Sequence, residues 1–107
     1  MVEVSIEQFA AAHADGASVI DVREPMEYVD GHVPGAALVP MGHLPSRTAE
    51  LDPSRPVYVI CASGNRSNAM TSFLRHVGFD AYSVAGGTTA WVRSGRPVVT
   101  GSRASAA

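Results

Sequence analysis

The stretch Val57-Tyr58-Val59-Ile60-Cys61-Ala62-Ser63-Gly64-Asn65-Arg66-Ser67 puts the chain's single cysteine at the end of an apolar, β-branched run. Small and polar residues follow it, and then an arginine where a helix is expected to begin. Read as strand, tight loop and helix start, the segment can turn successive backbone N–H groups inward as an anion-binding nest, with Gly64 supplying the positive φ. The unpaired N–H groups of the helix's first turn add to the same field. A thiolate in such a cup is stabilised, so the Cys61 thiol is expected to ionise more readily than a free cysteine and to act as a nucleophile without a separate general base. Arg66 opposes the local helix dipole, a cost that binding of a small oxyanion would offset. The plain alternative is a buried structural cysteine ending a strand, beside a surface arginine.

The elements that would hold this loop alternate along the chain. Ser5 and Gln8 fit a capping box before a helix whose face is Ile6, Phe9, Ala10 and His13, closed by Gly16. Residues 18–22 read as a buried strand, and Pro25 opens a short helix that stops at Gly31. A second strand is expected over 36–39, a short helical segment over 44–51 and the strongest strand over 57–61. The helix after Cys61 is expected to bury Ala69, Met70, Phe73, Leu74 and Val77 and to end at Gly78. A strand over 81–84, a helix over 88–93 ended by Gly95, and an edge pair Val98-Val99 complete the pattern. This alternation predicts an α/β domain over residues 4–99 with a mostly parallel sheet, followed by a flexible tail over 100–107. Ligands in such sheets sit at the carboxyl ends of strands, where Cys61 falls.

Bulk properties narrow the function classes. The chain has 107 residues, net charge −2, 46% hydrophobic and 17% charged residues, as expected of one small globular domain. Nothing in that balance favours nucleic acid or an anionic membrane surface. There is no apolar run long enough for a membrane span and no basic-then-apolar leader, so a cytoplasmic location is expected. A lone cysteine makes no internal disulfide, and the four histidines lack metal-ligand spacing, so neither metal nor organic cofactor is implied.

Three segments together resemble the rhodanese sulfurtransferase family. Cys61-Ala62-Ser63-Gly64-Asn65-Arg66-Ser67 is similar to its C-x-x-G-x-R-S loop. Asp21-Val22-Arg23-Glu24, Glu27-Tyr28 and Gly31-His32-Val33-Pro34-Gly35-Ala36 resemble its D-V-R-E…E-[YF]…G-H-I-P-G-A signature, and Gly86-Gly87-Thr88-Thr89-Ala90-Trp91 its G-G-x-x-x-W. The resemblance implies a five-stranded parallel sheet flanked by helices on both faces. It also implies that Cys61 takes the outer sulfur of thiosulfate, releases sulfite and holds a persulfide that passes to cyanide, a cellular thiol or a protein acceptor. Backbone N–H groups of Ala62, Ser63, Gly64, Asn65, Arg66 and Ser67 would hold that persulfide, and Arg66 would bind the sulfonate end of thiosulfate.

Other readings remain at this level. A persulfide carrier or a non-catalytic interaction module would use the same residues. Phosphatases and arsenate reductases of the related fold use a Cys-x5-Arg loop, whereas four residues separate Cys61 from Arg66 here. A loop that short suits one sulfur better than a phosphoryl group. Asp21 and Arg23 either order the active loop or pair to fix their own turn. Glu27 reads as a solvated helix residue or a partner of Arg23, and His32 as structural.

Overall fold

The computed structural model describes residues 2–105. Five parallel strands form one sheet in the order β1-β5-β4-β2-β3. They are β1 (Glu3–Val4), β2 (Ser18–Asp21), β3 (Ala37–Leu38), β4 (Val57–Ile60) and β5 (Ala81–Val84). Between them run α1 (Ile6–Ala14), α2 (Pro25–Asp30), α3 (Asn65–His76) and α4 (Gly87–Arg93). Ser5 closes the expected capping box with Gln8, satisfying N–H groups at both ends of the box.

Strand alternation splits the core between the two faces. Val57, Val59 and Cys61 point to the side that Ile20, Val22, Leu74 of α3 and Ala81 fill. Ile60, with Val19 and Val84, packs on the other side against Phe9 of α1 and Trp91 of α4. Each fully buried Ile or Leu here contributes about 1.5–3 kcal/mol of apolar transfer energy. Ser18 pairs in register with Val57 and Asp21 with Ile60, so the ends of β2 and β4 lie side by side. That register puts Asp21 beside Ile60, one residue before Cys61, and Arg23 lines a cleft with Ala62.

The structure differs from the sequence expectation in four places. The edge strand beside β5 is β1, which is too short to show any period; β5 specifies it through the Ser83 N–H to Val2 O and Ala85 N–H to Val4 O bonds. Val99 is not a sheet strand: it makes only an antiparallel bridge to His32. Residues 44–51 form two 3₁₀ turns, Leu44–Ser46 and Thr48–Glu50, in a segment too short to offset the cost of nucleating an α-helix. In α3 the buried residues are Ser67, Thr71 and Leu74, while Ala69 and Val77 are exposed. The helix is rotated so that Ser67 faces the cysteine, with Met70 and Phe73 half-buried at its flank.

Residues 101–104, part of the tail expected over 100–107, are hydrogen-bonded to the domain. Gly101 N–H donates to Val29 O, Gly35 N–H to Ala104 O, and His32 Nε2 lies 2.7 Å from Arg103 O. Residues 106 and 107 lie outside the described residues. Among the described residues no helix is long and apolar enough to cross a membrane.

Candidate active site

Cys61 lies at the C-terminal end of β4 and is fully buried. The chain must turn at once from strand to helix, and Gly64, with φ +116°, makes that turn as the N-cap of α3. The turn points the Gly64 N–H at the Cys61 Sγ, 3.1 Å away. Burial opposes ionisation of this thiol. The Ser67 hydroxyl and the backbone N–H groups of Ser67, Gly64 and Ser63 outweigh it and bring the thiol below its ordinary value.

Ser67 is therefore more than a backbone donor. Its Oγ lies 3.5 Å from the Cys61 Sγ, donates to Gly64 O at 3.1 Å and sits 2.8 Å from the Ser83 Oγ. In this arrangement the thiol donates to Ser67; a thiolate would accept from Ser67 only once that hydroxyl turns from Gly64 O, with Ser83 then donating to Ser67. Ser83 is fully buried in β5. The sequence pattern does not single it out; the only signal is a serine at an inward position of the Ala81–Val84 strand.

The remaining loop residues play different parts. Ala62 is half-buried, and its carbonyl accepts from Thr89 N–H at 3.0 Å; Ser63 and Asn65 are exposed. Among the described residues no hydrogen bond runs from the N–H of Ala62, Asn65 or Arg66 to the unmodified sulfur. Behind the loop, Thr88 gives both its N–H (2.8 Å) and its hydroxyl (3.1 Å) to Cys61 O. A Cβ on Gly87 would stand 2.5 Å from Cys61 O and 2.7 Å from Ala62 O. Only glycine lets α4 approach the Cys61 peptide that closely, which explains the second glycine of Gly86-Gly87. Trp91 is core: it is buried against Phe9 and donates from Nε1 to Pro97 O.

Arg66 sits beside the loop and grips Glu27 of α2 with both arms, Nη1 to Oε1 at 2.7 Å and Nη2 to Oε2 at 2.9 Å. Glu27 is thus neither free in solvent nor the partner of Arg23. The Arg66 hydrogen bonds hold its carboxyl down at about 2. Arg66 is raised in turn, chiefly by the Glu27 hydrogen bond, with a smaller contribution from the negative charge of Cys61.

Asp21 and Arg23 form a buried pair. The Asp21 carboxylate accepts from the backbone N–H, Nε and Nη2 of Arg23, and Nη2 also donates to Gly31 O at 2.8 Å. The pair fixes the turn that launches α2 and makes no hydrogen bond to residues 61–67. His32 is fully buried, stacked on Tyr28, with its two ring nitrogens 2.7 Å from Tyr28 O and Arg103 O. That is a structural post for α2 and the chain's end.

Comparison with known proteins agrees with this geometry. A family model described as a rhodanese-like domain matches residues 5–94. A sulfurtransferase of Allochromatium vinosum is 34% identical over 100 residues, covering 91% of this chain and 94% of that protein. The crystal structure of a rhodanese-related protein from Thermoplasma volcanium superposes with a TM-score of 0.87 at 31% identity, covering 92% of this chain and 98% of that one. A rhodanese-like domain protein from Staphylococcus aureus does so with a TM-score of 0.80 at 29% identity, over 85% and 91% of the two chains.

Proposed function

We propose, from the premise that this chain belongs to the rhodanese-like domain family, that it transfers a sulfane sulfur from thiosulfate to a thiol or to cyanide through a persulfide on Cys61. The Cys61 thiolate attacks the outer sulfur of thiosulfate; the S–S bond of the donor breaks and sulfite departs with the bonding pair. The persulfide so formed is anionic, and the N–H groups of Ala62, Ser63, Gly64, Asn65, Arg66 and Ser67 surround it. An acceptor nucleophile then attacks the outer sulfur, and Cys61 leaves as the thiolate that began the cycle. Arg66 binds the donor's sulfonate and compensates charge during both displacements.

The observation that carries this reading is the Gly64 N–H aimed at a buried sulfur, with Ser67 and Ser63 as further donors and the thiol lowered by them. A thiol lowered in this way gives up its proton more readily, so the attack asks less of a separate base. The loop between Cys61 and Arg66 also fits a single added sulfur better than a phosphoryl group. The test is thiocyanate formation from thiosulfate and cyanide. Cys61→Ser abolishes it, and Arg66→Ala raises the thiosulfate KM with a smaller effect on kcat. Turnover by Cys61→Ser would overturn the mechanism, and an unchanged KM in Arg66→Ala would remove Arg66 from donor binding.

A further inference from the structure

A cleft of ≈ 320 Å³ opens beside the active loop, lined by Arg23, Ala62, Thr88, Thr89, Val92 and Arg93. Its wall is tied to the nucleophile's own peptide, since Thr88 donates to Cys61 O and Thr89 N–H to Ala62 O. Two guanidinium groups line it; Asp21 behind the wall compensates the charge of Arg23, so the net positive charge is that of Arg93. Arg23 is only 6% exposed and spends Nε and Nη2 on Asp21 and Gly31. Its Nη1 has no hydrogen-bond partner among the described residues. Arg93 is exposed in the last turn of α4 and forms no salt bridge among the described residues. The exposed Thr89 hydroxyl has no partner there either. Such a cleft presents unsatisfied donors and positive charge one residue from the nucleophile, and Val92 and Ala62 give it an apolar side.

We propose that this cleft is the acceptor subsite and that it takes a small thiol carrying a carboxylate, with Arg93 as the counter-ion and Arg23 Nη1 and Thr89 as further donors. The proposal rests on the sulfur-transfer reading above and names the acceptor class for it. Size and reach both favour this occupant. The volume lies at the low end for small-molecule sites, so it suits a thiol metabolite and not a folded domain. In thiosulfate the oxyanion is bonded directly to the transferred sulfur and must stay over the loop. In a mercaptocarboxylate the charge stands at the far end of a carbon chain and can reach past Ala62 into the cleft. In the step itself the acceptor thiolate attacks the outer persulfide sulfur. A new S–S bond forms on the acceptor, the Cys61 Sγ–S bond breaks, and its electron pair stays on Cys61.

The test loads Cys61 with one sulfur from sodium polysulfide, independently of thiosulfate, and follows its discharge by 3-mercaptopropionate, 2-mercaptoethanol and cysteamine. Each thiol is compared between the native chain, Arg93→Ala and Arg93→Glu, so intrinsic thiol reactivity cancels. Arg93→Ala is expected to lower the rate for 3-mercaptopropionate relative to 2-mercaptoethanol by about threefold, the size of a solvent-exposed charge pair. Arg93→Glu should lower it further and favour cysteamine, and high salt should shrink both effects. An arginine serving only the helix dipole would not reorder thiols by charge. Unchanged ratios in both variants overturn the proposal. Slower loading from thiosulfate with unchanged discharge ratios also overturns it and assigns the cleft to the donor's sulfonate. If none of the three thiols discharges the loaded sulfur, the sulfur-transfer reading itself fails, and the subsite with it.

Discussion

Glu27→Gln is expected to make the protein a better acceptor of sulfur from thiosulfate. In the native chain the guanidinium that would bind the sulfonate is already held by a carboxylate at 2.7 and 2.9 Å. A sulfonate on the open edge of Arg66 would lie roughly 7 Å from that carboxylate; with an effective dielectric of about 40 for a part-exposed site, the repulsion is ~1 kcal/mol. Against this stands the loss of Glu27's grip on Arg66. The two side chains are 35% and 32% exposed, so the pair contributes about 0.2–1 kcal/mol, and glutamine keeps one of the hydrogen bonds. Repulsion wins, and kcat/KM for thiosulfate should rise about threefold, with the gain shrinking as ionic strength increases. The assay is the initial rate of thiocyanate formation across a thiosulfate series at low and high salt. A fall in kcat/KM would refute the reasoning and make Glu27 a positioning residue for Arg66. The same substitution has a pH signature. Glu27 is depressed to about 2 from an ordinary 4.5, so its contribution to stability is present above 4.5 and is lost as pH falls through about 2. After discounting for exposure, Glu27→Gln should cost no more than about 1 kcal/mol at neutral pH. That difference should shrink below pH 4.5 and be gone below about 2 in urea titrations.

Ser67→Ala removes the leading donor that favours the Cys61 thiolate, so the pH midpoint for alkylation by iodoacetamide should move up; an unmoved midpoint would leave the backbone amides alone responsible. Gly87→Ala forces a Cβ onto Cys61 O at φ +58°. It should cost about 2–4 kcal/mol in urea unfolding, from left-handed backbone strain plus overpacking; a cost below 1 kcal/mol would mean that α4 shifts freely off the loop.

How far the sequence reached follows from the range of each interaction. The loop from Cys61 to Ser67 could be read locally because its glycine, small residues and helix start are contiguous, and the structure brings the Gly64 N–H and the Ser67 hydroxyl onto the sulfur. The parallel sheet could be read from β2 and β4, which are buried and rich in β-branched residues, with β5 following from its spacing after the Gly78 stop. β1 could not, since two residues carry no period and only pairing with β5 defines them. The Glu27–Arg66 pair joins residues 39 apart, and nothing in either local segment selects the other. The face of α3 was misplaced because periodicity rewards apolar residues, whereas this helix turns Ser67 and Thr71 inward. Leu74 continues that face into the core, while Ser67 meets the Cys61 sulfur and the Ser83 hydroxyl. The cleft at Arg93 depends on how α4 seats against the Cys61–Ala62 carbonyls, which the Gly86-Gly87 pair hints at without locating.

The persulfide on Cys61 is the central claim, and intact-protein mass spectrometry tests it most directly. The native chain and Cys61→Ser are weighed before thiosulfate, after it, and again after cyanide. The account predicts a gain of one sulfur atom in the native chain only, discharged by cyanide with release of thiocyanate. An unchanged mass, with the Cys61 thiol still free to alkylate, would contradict it.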